Sequence, residues 1–93
     1  MLLFVGRIQP LKGLTVAVGA LAELVAGDQP DAELVVVGGP SGADGDREAR
    51  TVASLAESLG VAGRIRWVDP QPHHLLSSWY RAADVVLVPS RSE

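Results

Sequence analysis

The chain has 93 residues, 47% of them apolar and 20% charged, which suits one small packed domain and excludes a disordered segment. Eleven acidic against eight basic side chains leave a net charge of -3, which excludes the global basic field of a nucleic-acid binder, so any anion site has to be local. The absence of cysteine excludes disulfide scaffolds, thiolate zinc centres and cysteine nucleophiles.

Leu2 to Val5 reads as a short buried strand, and behind it Gly6-Arg7-Ile8-Gln9-Pro10-Leu11-Lys12-Gly13 sets two cations between two glycines. Leu14, Val18, Leu21 and Val25 recur at helical spacing, which predicts a helix from about Lys12 to Ala26. Gly27, Asp28 and Pro30 end it. A β-branched run from Glu33 to Val37 predicts the second strand, and Gly38-Gly39-Pro40-Ser41-Gly42 follows as a turn cluster. Val52, Leu55, Ala56 and Leu59 then mark an amphipathic helix closed by Gly60. Arg64 to Val68 is the third predicted strand, and Asp69-Pro70-Gln71-Pro72 is a loop. Leu75, Leu76, Trp79, Tyr80 and Ala83 draw one face of a third helix, which assigns Trp79 and Tyr80 to the core, and Val85 to Val88 is the last strand.

Strands buried on both faces and separated by helices predict an α/β fold, a Rossmann-like doubly wound parallel sheet of four strands in the order 3-2-1-4. In that order strands one and four lie side by side, and a crevice opens between their exits, Arg7 and Lys12 on one side and Pro89-Ser90-Arg91-Ser92-Glu93 on the other. No apolar run approaches the roughly 20 residues of a membrane helix. Met1 leads directly into a strand, so a soluble, cytoplasmic protein without a membrane span or a nucleic-acid partner is expected. The fourth strand, Val-Val-Leu-Val, is followed by neither a helix nor a further strand. The expectation is a truncated piece of a larger protein, able to self-associate through that uncovered apolar edge.

Arg7 offers a planar bidentate donor fork and Lys12 a compact ammonium, the pair that a diphosphate needs for charge neutralisation. Two solvated surface cations are the plainer alternative. The Gly38 to Gly42 cluster lacks both G-x-G-x-x-G and a G-K-[ST] ending, so it reads first as a turn and second as a backbone contact to a substrate. His73 and His74, adjacent in sequence, point about 100° apart on a helix and cannot chelate one metal ion. Glu93 could accept hydrogen bonds from sugar hydroxyls, or simply fray at the chain end. No Ser-His-Asp set, carboxylate pair or metal-ligand cluster completes a catalytic machine.

Two stretches carry a resemblance that covers essentially the whole chain. Phe4-Val5-Gly6-Arg7-Ile8-Gln9-Pro10-Leu11-Lys12-Gly13 is similar to the F-V-G-R-x-x-P-x-K-G pattern of retaining glycosyltransferases of the GT-B fold, family 4. Tyr80-Arg81-Ala82-Ala83-Asp84-Val85-Val86-Leu87-Val88-Pro89-Ser90-Arg91-Ser92-Glu93 matches that family's Y-x-x-A-D-V-x-V-x-P-S-x-x-E. The resemblance implies that residues 1–93 are part of a C-terminal nucleotide-sugar-binding domain, with the N-terminal acceptor domain absent from the chain. It assigns Arg7 and Lys12 to the donor diphosphate, as leaving-group stabilisers, and Gln71 to a main-chain contact with the base. Glu93 corresponds to the first glutamate of an E-x7-E motif facing the donor sugar.

The glycine cluster and the Arg7 to Lys12 stretch look most like the branch that transfers N-acetylglucosamine from UDP to 1D-myo-inositol 3-phosphate in mycothiol synthesis. That branch implies no organic cofactor and a magnesium ion at Tyr80, Arg81 and Ala83, held through backbone carbonyls. Other family 4 enzymes, sucrose-phosphate synthases among them, share much of the pattern. The same residues also suit a free-standing nucleotide- or phosphate-binding module without chemistry. A receiver-like signalling domain ranks last, because the exit of strand one carries Arg7 where acidic residues would be needed.

Overall fold

The computed structural model describes residues 1–9, 12–40 and 42–87. Its elements are β1 (Leu2–Val5), α1 (Leu14–Ala26), β2 (Leu34–Val37), α2 (Gly42–Ser58), a 3-10 turn (Ala62–Arg64), β3 (Ile65–Val68), α3 (His73–Ala82) and β4 (Val85–Val86). The strands form one parallel sheet in the order β3-β2-β1-β4, the order expected from sequence. Leu2 stands opposite Leu34 on one side and Val85 on the other, so β1 is an inner strand with neighbours on both sides.

Because side chains alternate across a strand, each inner strand feeds two cores. Leu2, Phe4, Leu34 and Val36 point to one face, where they pack with Leu14, Ala17, Val18 and Leu21 of α1 and Val52 and Ala56 of α2. Leu3, Val35 and Val37 point to the other, where Leu76 and Trp79 of α3 and Ala83 lie against them. The chain therefore winds two helices onto the first face and crosses to the second between β3 and β4. Gly27 closes α1 by donating its N–H to the Glu23 and Leu24 carbonyls, at 3.0 and 3.2 Å.

Several expectations change. Burial on both faces holds for β1 and β2 but not for the outer strands: Trp67 of β3 is 45% exposed, and Val85 and Val86 of β4 are 48% and 40% exposed. The reason is topological, since each outer strand has one neighbour and α3 is the only helix described on its face. Tyr80 and Leu75, expected in the core, are exposed, while Leu76, Trp79 and Ala83 are half-buried. A lone helix covering a flat sheet buries a stripe narrower than the five positions assigned to it. At the fourth strand, regular pairing covers Val85 and Val86, and the Leu87 N–H extends it by donating to the Leu3 carbonyl at 2.8 Å. Val88 lies outside the described residues.

At the amino edge of the sheet, the Asp84 N–H donates to the Met1 carbonyl at 3.0 Å, and the Asp84 carboxylate pairs with the Met1 ammonium. The hydrogen bond from that ammonium, and then its charge, hold the Asp84 carboxyl below the usual carboxylate range. A lowered folded-state value means that the pair supports the fold above the ordinary aspartate pKa and that this support is lost as pH falls through the lowered value. The carboxylate is exposed, so the effect is small. Thermal melts of the 93-residue chain should show Asp84→Asn slightly less stable at neutral pH, with the gap closing in acid. A gap that stays constant with pH would rule the ion pair out as its source.

Truncating Leu21, which is fully buried, to Ala should cost about 2–5 kcal/mol in urea denaturation, whereas Leu75→Ala should cost less than about 1 kcal/mol. Equal costs would mean that α3 is buried as deeply as α1.

Candidate functional site

Past the last paired residues of β1 and β2, the two chains stay together. The Gly6 N–H donates to the Val37 carbonyl and the Ile8 N–H to the Gly39 carbonyl, both at 3.0 Å, and Ile8 forms a parallel bridge with Pro40. β3 joins through the Gly38 N–H, which donates to the Val68 carbonyl at 3.0 Å. At Gly38, φ is +147°, and a Cβ built there would lie 1.9 Å from the Gly6 carbonyl oxygen. Only glycine allows so close an approach of two backbones. The turn expected from sequence is thus not what Gly38, Gly39 and Pro40 form: they prolong the exit of β2 alongside β1, Gly42 already belongs to α2, and Ser41 lies outside the described residues.

These three strand exits enclose a cavity of about 320 Å³. Arg7 and Gly6 supply one wall, Gly38, Gly39 and Pro40 the next, and Pro70 and Gln71 the third. Val5, Val37 and Leu76 make an apolar floor. The structure therefore brings together Arg7 and Gln71, two of the residues singled out from sequence. Arg7 is exposed, and among the described residues no carboxylate lies within ion-pairing distance of it. Gln71 is half-buried, with its side-chain Nε2 donating to the Asp69 carbonyl at 2.9 Å. That bond holds the loop and leaves the Gln71 main chain and Oε1 for a ligand.

Lys12 does not line this cavity. It is half-buried in the turn before α1, where its N–H donates to the Gln9 carbonyl at 3.0 Å, and Gly13, at φ +75°, then starts the helix. The cavity lies over the exits of β1, β2 and β3, whereas the crevice was expected between β1 and β4; Glu93 and the rest of the β4 exit lie outside the described residues. His73 and His74 are exposed on the first turn of α3, and among the described residues no three His, Asp or Glu side chains cluster as a metal site would. Leu76, Pro40 and Pro70 were not singled out from sequence. Leu76 was visible as an apolar helix position, but only the fold shows that it floors a cavity.

Tyr80, Arg81 and Ala83 stand at the opposite, amino edge of the sheet, because α3 runs back from the β3 exit to the start of β4. They offer an ion no carboxylate, the Tyr80 carbonyl accepts the Ala83 N–H at 3.4 Å, and Arg81 adds a positive charge. Magnesium prefers carboxylate and water oxygens in octahedral array, so these residues do not by themselves fit it.

The model of the family described as glycosyl transferases group 1 matches residues 1–93. The chain belongs to that family. It is 50% identical over 95 residues to a D-inositol 3-phosphate glycosyltransferase 2 of Catenulispora acidiphila, covering 99% of this chain and 22% of that protein. A D-inositol 3-phosphate glycosyltransferase of Thermomonospora curvata is 48% identical, with 100% and 22% covered. The chain thus spans about a fifth of the length of these curated relatives. Among solved structures, the C-terminal domain of the group 1 glycosyl transferase LpcC from Francisella tularensis superposes with a TM-score of 0.82 at 24% identity, over 99% of this chain and 47% of that one. WaaG, a glycosyltransferase involved in lipopolysaccharide biosynthesis, gives 0.77 at 29% identity, over 99% and 23%. The GT-B C-terminal fold expected from the two motifs is therefore the observed one.

The neighbouring glycines give a local test of the cavity wall. Gly38→Ala should cost about 2–5 kcal/mol, from backbone strain and overlap with the Gly6 carbonyl. Gly39→Ala, whose Cβ would meet only Pro70 at 3.6 Å, should be close to neutral. Urea denaturation of the two variants checks the difference, and tolerance of alanine at both positions would contradict the close approach of β1 and β2.

Proposed function

We propose that this chain is the donor-binding part of a retaining glycosyltransferase, and that its cavity takes the nucleotide end of a UDP-sugar. The observation that carries the reading is the meeting of Arg7 and Gln71 on one cavity, at the carboxyl ends of parallel strands where α/β sheets bind nucleotides. In this reading the apolar floor and the Gln71 main chain receive the base. The Arg7 fork and the Lys12 ammonium hold the diphosphate, and Glu93 faces the donor sugar.

The chemistry of these residues suits a leaving-group site. When the sugar–phosphate bond breaks, negative charge grows on the departing diphosphate, and cations set against it lower that barrier. Neither residue has to move a proton. We assign acceptor binding to an N-terminal domain not contained in these 93 residues. The relatives named as inositol 3-phosphate glycosyltransferases support 1D-myo-inositol 3-phosphate as the acceptor. The motif resemblance supports N-acetylglucosamine as the sugar.

Calorimetric titration of the 93-residue chain should detect weak UDP binding and no turnover of UDP-N-acetylglucosamine. Arg7→Ala should weaken UDP by about 10- to 100-fold, the loss of a charged hydrogen-bonded pair, and Lys12→Ala by about tenfold. UDP affinity unchanged in Arg7→Ala would refute the assignment. Inorganic diphosphate binding as tightly as UDP would favour a plain phosphate-binding module instead.

A further inference from the structure

Helix α2 meets the site at one point that neither the motifs nor the cavity wall reveal. Gly45 is buried in its first turn. A Cβ built there would lie 2.6 Å from the Ile8 carbonyl oxygen, and 3.0 and 3.2 Å from the carbonyl carbon and Cα of Pro40. Those two residues are the ones that bridge the exits of β1 and β2. Ile8 is 2% exposed, follows Arg7 directly and donates its N–H to Gly39, while Gly39, Pro40 and Arg7 all line the cavity. One glycine thus lets a helix rest on both exit loops at once.

From this we infer that Gly45 is a positioning residue for nucleotide binding: by admitting α2 onto the Ile8–Pro40 bridge, it sets the Arg7 backbone against the Gly39–Pro40 wall. The effect on ligand rests on the donor-site reading given above; the effect on the loops does not. Space is the whole cause, because Gly45 lies inside a helix and needs no left-handed backbone. A methyl at 2.6 Å from a carbonyl oxygen forces something to shift, and the groups in its way are main-chain atoms of Ile8, next to Arg7, and of Pro40 in the cavity wall rather than a flexible side-chain end. Gly19, in the middle of α1 with open space around its would-be Cβ, is the control for the change in helix propensity alone.

The test compares Gly45→Ala with Gly19→Ala in the 93-residue chain, using amide NMR without ligand and UDP titration with it. Gly45→Ala should shift the Arg7, Ile8 and Gly39 amides and weaken UDP by about tenfold, while Gly19→Ala changes neither. In an Arg7→Ala background the added loss from Gly45→Ala should fall below about twofold, which a general destabilisation of the fold would not produce. Shifts confined to α2, or an equal affinity loss in both backgrounds, would overturn the inference. If the wild-type chain binds no UDP, the donor-site reading fails, yet the ligand-free shifts still decide whether Gly45 sets the loops. Should Gly45→Ala not fold, hydrogen exchange of the wild type decides instead. Opening of the Ile8 amide together with the first turn of α2 supports the inference, and opening independent of it refutes it.

Discussion

The binding face depends on the contact between two backbones at Gly38 and Gly6. Parallel strands diverge into loops once their ladder ends, and loops so placed usually part to make room for side chains. Here the ladder continues for several residues past β1 and β2, because Gly38 has no Cβ to meet the Gly6 carbonyl. The two exits therefore leave the sheet as one unit, with Arg7 on one side and the Gly39–Pro40 segment on the other. Rigidity of this kind fixes the backbone from which Arg7 projects, which reduces the ordering that an anion bound there would have to impose.

The two faces of the sheet are built unequally. α1 and α2 together bury Leu14, Val18, Leu21, Val52 and Ala56 against the first face, so that side forms a core of ordinary depth. α3 lies alone on the second, leaving Tyr80 and Leu75 exposed, and the same face carries the cavity floor through Leu76 and Val37. Stability thus comes mostly from one side, and the cavity opens on the other. A helix with no fully buried residue gives up stability, and it leaves the space in which a planar group could lie over the strand exits.

Much of this was legible in the amino-acid sequence, and the parts that were not share a physical cause. Four apolar runs separated by helical periodicities defined the sheet, because continuous apolar runs and period-3.6 patterns both respond directly to burial. Arg7 was legible because it follows a strand end, where parallel sheets collect ligands, whereas Gln71 was singled out only by the family resemblance. Tyr80 was misassigned because periodicity marks an apolar face without saying how many neighbours cover it. Gly45 carried a signal that is easy to pass over. It stands four residues before Ala49, which precedes Val52 and Ala56 at helical spacing, so a glycine occupies the packed stripe of α2. A glycine on such a stripe costs helix propensity and fills no volume, which makes it a mark of close backbone approach. Identifying what approaches it requires the fold.

The separation of Arg7 from Lys12 bears on how an anion would lie. Arg7 is on the cavity wall, and the floor beneath it includes Leu76 from α3 on the second face. Lys12 precedes Gly13 at the start of α1, and α1 packs against the first face. The two cations thus flank the carboxyl end of β1, one on the cavity wall and one at the turn before α1. Under the proposed function this divides the donor. The base end extends from Arg7 across the exits of β2 and β3 toward Gln71, and the diphosphate lies over β1, where the positive end of the α1 dipole adds to the Lys12 charge. The sugar then projects toward β4, away from the base.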